Sequence, residues 1–402
     1  MEVFKKFDDS IIRAQQKIYY PTSEQNFNSV NKSTVFKIDG VDSFLNVKQA
    51  RFDIRGKVVK SDGTAYAAGI AVKLVDNFVA YLFSRIEVRK HGKLLDESEN
   101  VGRLSTIIGA VMNDHSKENS GFISKFSGGG NFHVIGFLGD LGLGFFTDVK
   151  VPVYKGGFDI TFIRANDNDA VYRYKADPTT EVPGEAKVTI QEFIIRIPSI
   201  DYEDFNKIKL VNELTHLSQN NKYRFLFKSY QCIEERNLTG KTFTKDITNN
   251  YRFIKNPLFA FIAFQTGRLD SQIAEPQFFD HCSVKNIWLE LNSRRYPEEL
   301  EDFDFSTQKT ALAYEMYTDF KRIFNNNDAS QMMLSPTTFK TCAIYCIDLT
   351  RQPQNISENK HNIILHVNFG VDVPANTVCY IVMVSSSDFS YDILRNNITE
   401  NL

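Results

Sequence analysis

What the sequence lacks narrows its role before any motif is considered. It has no surplus of basic charge: 47 Lys and Arg stand against 49 Asp and Glu in 402 residues. A protein that grips nucleic acid along its surface needs clustered cations to release counterions from many phosphates, so sequence-specific nucleic-acid binding is not expected. No stretch of 18 apolar residues occurs, and no segment is expected to cross a bilayer as a helix. Five cysteines, Cys232, Cys282, Cys342, Cys346 and Cys379, all fall in the second half. An odd count without a visible secretion signal points to reduced thiols in a cytosolic or nuclear setting.

Catalytic and cofactor signatures are missing too. The glycine-rich segment from Gly136 to Gly144 has no Lys-Ser/Thr ending, and strand-like residues are expected after it rather than a helix, so it reads as a turn-rich loop and not a phosphate cradle. A jelly-roll metalloenzyme would need several His and a carboxylate converging in one barrel. His361 and His366 are five apart on an expected strand and point to opposite faces. His91, His115, His133 and His216 are scattered without ligand spacing. Cys342 and Cys346 are expected to share a strand face, but no second pair lies at zinc spacing. No Gly-x-Ser-x-Gly elbow occurs. The acidic run from Glu298 to Asp304 reads as a solvated loop leading to a helix capped by Ser306. No catalytic, metal or cofactor residue is assigned, and the chain is not expected to be an enzyme.

What is present is aromatic and β-prone: 34 Phe and 17 Tyr within a composition that is 42% hydrophobic, enough for a substantial core. The first 20 residues read as an amphipathic helix, with Phe4, Phe7, Ile11 and Ile18 at helical spacing and Pro21 ending it. They form an arm, residues 1–33, outside the β pattern. From residue 34 the period becomes two: Phe52, Ile54 and Val58 alternate with charge. Further strands are expected near 79–89, 132–138, 149–155, 157–164 and 187–197. A second series follows residue 220, with fully apolar runs at 258–264 and 378–384 and others near 284–291, 339–349 and 361–369.

The most informative pattern is an echo at an offset of about 200 residues. A strand ending Ile86-Glu87-Val88 turns through His91-Gly92 and leads to a helix with Leu104, Ile107, Ile108, Val111 and Met112 on one face. A strand ending Leu289-Glu290-Leu291 turns through Asn292-Ser293 and leads to a helix with Leu312, Met316, Phe320, Ile323 and Phe324 on one face. Two duplicated β-domains, each with one helix in the same loop, account for this. The expected architecture is all-β: two tandem eight-stranded jelly-roll barrels at 34–215 and 216–402, each with one short loop helix, behind an N-terminal helical arm.

Particular blocks carry a family resemblance. NPLFAFIAFQTGRLDSQ, FDHCSVKNIWLELNSRRYPEE and AYEMYTDF in the second half, with VDNFVAYLFSRIEVRKHGKLLDE (75–97), FDITFIRANDNDAVYR (158–173) and IRIPSI (195–200) in the first, resemble the double-jelly-roll major capsid proteins of Polinton/Maverick and adintovirus-type elements. The resemblance covers most of 34–402 and is weak in the loops and at the N-terminus. It implies a lineage shared with adenovirus hexon: homotrimers form pseudo-hexagonal capsomers that tile an icosahedral shell. It also implies penton or minor capsid partners, a virion location, and synthesis in host cytoplasm with nuclear assembly. The arm residues Phe4, Phe7, Ile11 and Ile18 would then contact neighbouring subunits or an internal membrane. The rival readings are a jelly-roll trimer that binds a glycan or other ligand, a cupin-like enzyme, and a domesticated capsid with a cellular role.

Overall fold

The computed structural model describes residues 11–22, 27–39, 43–67, 69–112, 130–155, 157–220, 223–248, 257–299, 302–307, 309–324, 334–351 and 362–401. Two sets of eight strands build its barrels, and five short strands lie beside them: Phe44–Leu45, Val72–Leu74, Val153–Tyr154, Val171–Arg173 and Asn397–Glu400. The first comprises β1 (Ile11–Tyr19), β2 (Ser33–Ile38), β3 (Arg51–Lys60), β4 (Phe83–Lys90), β5 (Lys93–Glu99), β6 (Asn131–Phe137), β7 (Phe158–Arg164) and β8 (Ala186–Tyr202). The second comprises β9 (Arg224–Glu235), β10 (Thr242–Asp246), β11 (Pro257–Thr266), β12 (Val284–Leu291), β13 (Arg294–Tyr296), β14 (Ile344–Asp348), β15 (Ile363–Phe369) and β16 (Thr377–Asp392). Helix α1 (Val101–Met112) joins β5 to β6, α2 (Gly144–Asp148) follows β6, α3 (Asp204–Gln219) joins the two sets, and α4 (Ala311–Phe324) joins β13 to β14.

The two sets have one topology. The first pairs β1-β8-β3-β6 in one sheet and β2-β7-β4-β5 in the other; the second pairs β9-β16-β11-β14 and β10-β15-β12-β13. Each strand therefore has its counterpart eight strands later, and α1 and α4 occupy the same connection. Both hairpins that precede these helices turn on two residues of positive φ, His91-Gly92 (50° and 78°) and Asn292-Ser293 (49° and 65°). That backbone matches the twist of the strands it joins.

The N-terminal region departs from expectation. Residues 11–19 are not helical but form β1, which pairs antiparallel with β8 from Ile11↔Tyr202 to Tyr19↔Ile195. Apolar spacing that suits a helix stripe is overridden because β8 needs a partner on that edge, and Tyr19, 7% exposed, closes the barrel core. The expected arm thus supplies the first barrel's opening strand, while Phe4 and Phe7 lie outside the described residues. The helix α3 was not anticipated, and the boundary at 215/216 falls inside it. Two expected strands divide: 79–89 into a short helix (Phe78–Tyr81) and β4, and 339–349 into a short helix (Pro336–Phe339) and β14. Helix α4 begins at Ala311, so Ser306 does not cap it; the backbone and hydroxyl of Ser306 donate to Asp304 in a turn of their own (2.9 and 2.6 Å). Its buried face is Ala313, Tyr317 and Phe320, with Leu312 and Met316 half-buried and Ile323 exposed.

Aromatic rings fill the first barrel. Phe36, Phe83, Phe162 and Phe193 meet at centroid separations of 4.8–5.8 Å, most of them edge-on, a geometry worth about 0.5–1.5 kcal/mol per pair beyond area burial. The core does not stop at the barrel boundary. Tyr223, Phe225 and Phe227 of the second half, with Phe389 and Tyr391, belong to the first barrel's cluster, and Phe145 on α2 lies 5.9 and 5.8 Å from Phe225 and Phe227. Conversely Leu104, Ile107 and Val111 of α1 belong to the second barrel's cluster.

Arg103 on α1 is the polar centre of this joint. Only 4% exposed, its guanidinium donates to the Tyr380 hydroxyl (3.2 Å) and to the carbonyls of Pro276 and Arg268 (both 3.4 Å), and pairs with Asp169 (3.2 Å). It also lies over the Tyr81 ring at 5.0 Å. Gly102 permits this, because a Cβ there would come within 2.2 Å of the Tyr81 ring. Arg103→Leu should destabilise the protein by about 3–5 kcal/mol, the usual cost of stranding one partner of a buried ion pair, read by urea unfolding. Removing residues 1–21 should lower the melting temperature by calorimetry, since it strips a whole strand from the first barrel.

Candidate functional site

The glycine-rich segment was expected to lead into strand, but α2 follows it, which revives the question of an anion at that helix end. The structure answers it internally. Asp96 on β5 accepts from the Phe145 N–H (2.9 Å) in the first turn of α2, and also from the Glu97 N–H (3.0 Å). Gly144 sits against the backbone of β9, where a Cβ would clash with the Lys228 carbonyl. The helix end is therefore filled by protein on both sides. Asp96 is 3% exposed, and burial pushes its carboxyl up to about 8, with backbone hydrogen bonds from Phe145 and Glu97 opposing. Across the same joint, burial lowers Lys90 to about 8; its ammonium sits 4.5 Å over the Tyr391 ring and donates to the Gly157 carbonyl (3.2 Å).

The histidines do not converge. His133 on β6 contacts Asp53 of β3 (2.8 Å), which also accepts from Arg196 of β8 (2.9 and 2.7 Å). Burial would raise the Asp53 carboxyl, but the hydrogen bonds and charges of Arg196 and His133 hold it below its usual range. His366 on β15 stacks on Trp288 of β12 (4.9 Å, 9°), with its Nε2 3.6 Å from Glu290. His91 is in a turn and His216 on α3; His115 and His361 lie outside the described residues. All five cysteines are free and buried. Cys342 precedes β14 rather than sharing its face with Cys346, and its sulfur accepts from the Phe279 N–H (3.4 Å). Among the described residues no group of His, Cys, Asp and Glu could hold a metal ion, and no helix is long and apolar enough to cross a membrane.

The surface is more telling. Ile18 is 42% exposed on β1, Tyr20 just beyond it 62%, and Ile135 and Phe137 on β6 45% and 40%. Register places Ile135 opposite Asp53, which is itself opposite Ile194, and Phe137 opposite Arg51, then Arg196, then Ile18. Directly paired residues share a face, so these side chains form one band of apolar and charged groups across the outer wall of the first barrel, with Asp53 buried beneath Arg196 and His133. Of the four N-terminal residues proposed for partner contact, Ile18 joins this band, and Ile11 opens β1 about 23 Å away along the strand. In the second half a cleft of about 420 Å³ runs between β13 and α4, lined by Arg294, Tyr296, Met316, Ile323 and Arg351. The sequence pattern put Met316, Phe320 and Ile323 on one face of this helix, and all three line the cleft.

Paired eight-stranded barrels of one topology, each lending residues to the other's core, identify the architecture. Residues 72–387 match the double jelly roll-like domain family. The chain belongs to that family. No curated protein matches it. Its double jelly roll is similar to PBCV-1 VP54, from a crystal structure fitted into a reconstruction of the virophage Sputnik: TM-score 0.60 at 9% identity, covering 100% of this chain and 99% of that one. It is similar also to the mavirus major capsid protein (TM-score 0.53, 11% identity, 96% and 90% covered). The Faustovirus major capsid protein gives a TM-score of 0.52 at 8% identity, with 96% and 92% covered. At such identities the shared property is the fold.

Asp96 and Lys90, each buried and each shifted by that burial, are expected to make stability depend on pH. The folded Asp96 carboxyl holds its proton more tightly than an unfolded one near 3.9, so its contribution is complete below about pH 4 and is lost as pH rises through about 8. Lys90 is depressed, so its contribution is present above its unfolded value and lost as pH falls through about 8. Asp96→Asn should therefore gain stability relative to the parent between pH 5 and 8, with the difference level above that, in melting temperatures measured across pH 5–10.

Proposed function

We propose that the chain is a major capsid protein, a structural and non-catalytic shell component. The observation that carries this reading is the duplication itself: two barrels of one topology locked side by side, in a fold shared end to end with the PBCV-1, mavirus and Faustovirus capsid proteins. Two similar walls per chain let three copies present six, so a homotrimer can fill a near-hexagonal tile. Such trimers would assemble an icosahedral virion, with other capsid proteins closing its vertices. The near-balanced charge suits close crowding of many copies. The sequence blocks named above favour the Polinton/Maverick and adintovirus branch, which would place synthesis in host cytoplasm and assembly in the nucleus. Phe4 and Phe7, ahead of β1, are proposed to reach a neighbouring subunit or an underlying membrane.

Purified protein imaged by negative-stain electron microscopy should show hexagonal particles or closed shells. A field of isolated monomers at micromolar concentration would count against the reading, and specific signal on a glycan array would favour the ligand-binding alternative.

A further inference from the structure

The contact between the two barrels inside one chain is a template for the contact between chains. Within the chain, the first barrel offers β5 and α1, and the second barrel offers β9 with its neighbour β16. Asp96 on β5 meets Ser229 on β9 (3.5 Å), the Tyr230 hydroxyl of β9 points at Met112 of α1 (3.9 Å), and Arg103 of α1 reaches Tyr380 of β16. Strand β9 is the edge of its sheet, and this contact covers it: Ser229, Tyr230 and Cys232 are buried.

Shift every element by eight strands and the partners become β13 and α4 on one side, β1 and β8 on the other. Among the described residues neither counterpart is covered by a second barrel. Strand β1 pairs only with β8 among the described residues, leaving an open edge with Arg13, Ala14, Gln16 and Ile18 exposed. Uncovered edges of this length are a pairing liability unless another surface closes them. On the other side lies the cleft between β13 and α4, extended along the helix by a second hollow of about 210 Å³ lined by Leu312 and Met316. Tyr296 lines this cleft at 5% exposure, and its buried hydroxyl has no hydrogen-bond partner among the described residues.

Charge agrees with the match. Residues 11–21 carry Arg13 and Lys17 and no carboxylate. Glu298, Glu299, Glu315, Asp319 and Asp348 line the two hollows against Arg294 and Arg351.

We propose that the β13–α4 cleft of one copy receives the β1 edge of a second copy of this chain, repeating between molecules the joint already made within each. The contact is head-to-tail, each copy giving a cleft and an edge, and such a contact closes as a ring when the rotation it imposes closes after three copies. This rests on the trimeric shell reading and adds the surfaces that make the trimer.

Two double variants at exposed positions test it. An edge variant carries Arg13→Glu and Ile18→Asp, and a cleft variant carries Asp319→Lys and Ile323→Asp. Circular dichroism confirms that each folds, and sedimentation velocity at about 20 μM protein, an order-of-magnitude choice suited to micromolar association, reads the oligomer. The parent should sediment as a trimer, each variant alone as a monomer, and a 1:1 mixture as a heterodimer, because only the mixture retains one intact cleft and one intact edge. A monomeric parent overturns the trimer reading itself. A trimeric parent with either variant still trimeric, or with the mixed variants remaining monomeric, overturns the surface assignment and leaves the trimer standing.

Discussion

A single buried guanidinium holds the architecture in register. Arg103 cannot be desolvated without partners, and its partners come from both barrels: Asp169 from the first, Tyr380 and the carbonyls of Arg268 and Pro276 from the second. Its donors have fixed directions, so the barrels can satisfy it in one relative orientation only. The aromatic contacts around Phe145, Phe225 and Phe227 add apolar burial across the joint, but such contacts tolerate sliding where a forked cation does not. The double jelly roll is in this sense one body with two like halves.

Much of this was legible in the sequence. The alternation at Phe52, Ile54 and Val58, the apolar run of β11 and the paired hairpin-then-helix pattern all correspond to strands and helices at those places. The echo worked because the same turn chemistry recurs: positive φ at two successive positions before a helix is a local demand that the residues themselves display.

What was not legible depended on partners distant in sequence. Residues 11–19 carry apolar spacing compatible with a helix, and only the unpaired edge of β8, some 180 residues away, makes them a strand. Helix α3 was hidden for the opposite reason. Its inner side, Leu210, Val211 and Leu214, is only half-buried, while Phe205 and Ile208 are 77% and 61% exposed, so its apolar residues do not fall on one stripe. The Gly136–Gly144 segment was expected to continue as strand because Phe145 and Phe146 suit one. The buried carboxyl group of Asp96, accepting from the Phe145 N–H in the first turn of α2, decides otherwise. The band across the outer wall of the first barrel likewise exists only once register brings β6, β3, β8 and β1 together.

The burial of every thiol has a practical corollary. Each cysteine is shielded within the protein, and burial raises all of them above the ordinary thiol range. Thiolate is the species that reacts with maleimides, peroxides and disulfide reagents, so the native exterior is inert to them. A cysteine engineered onto any exposed loop becomes the sole chemical handle, ready for site-specific conjugation without first stripping the natural five.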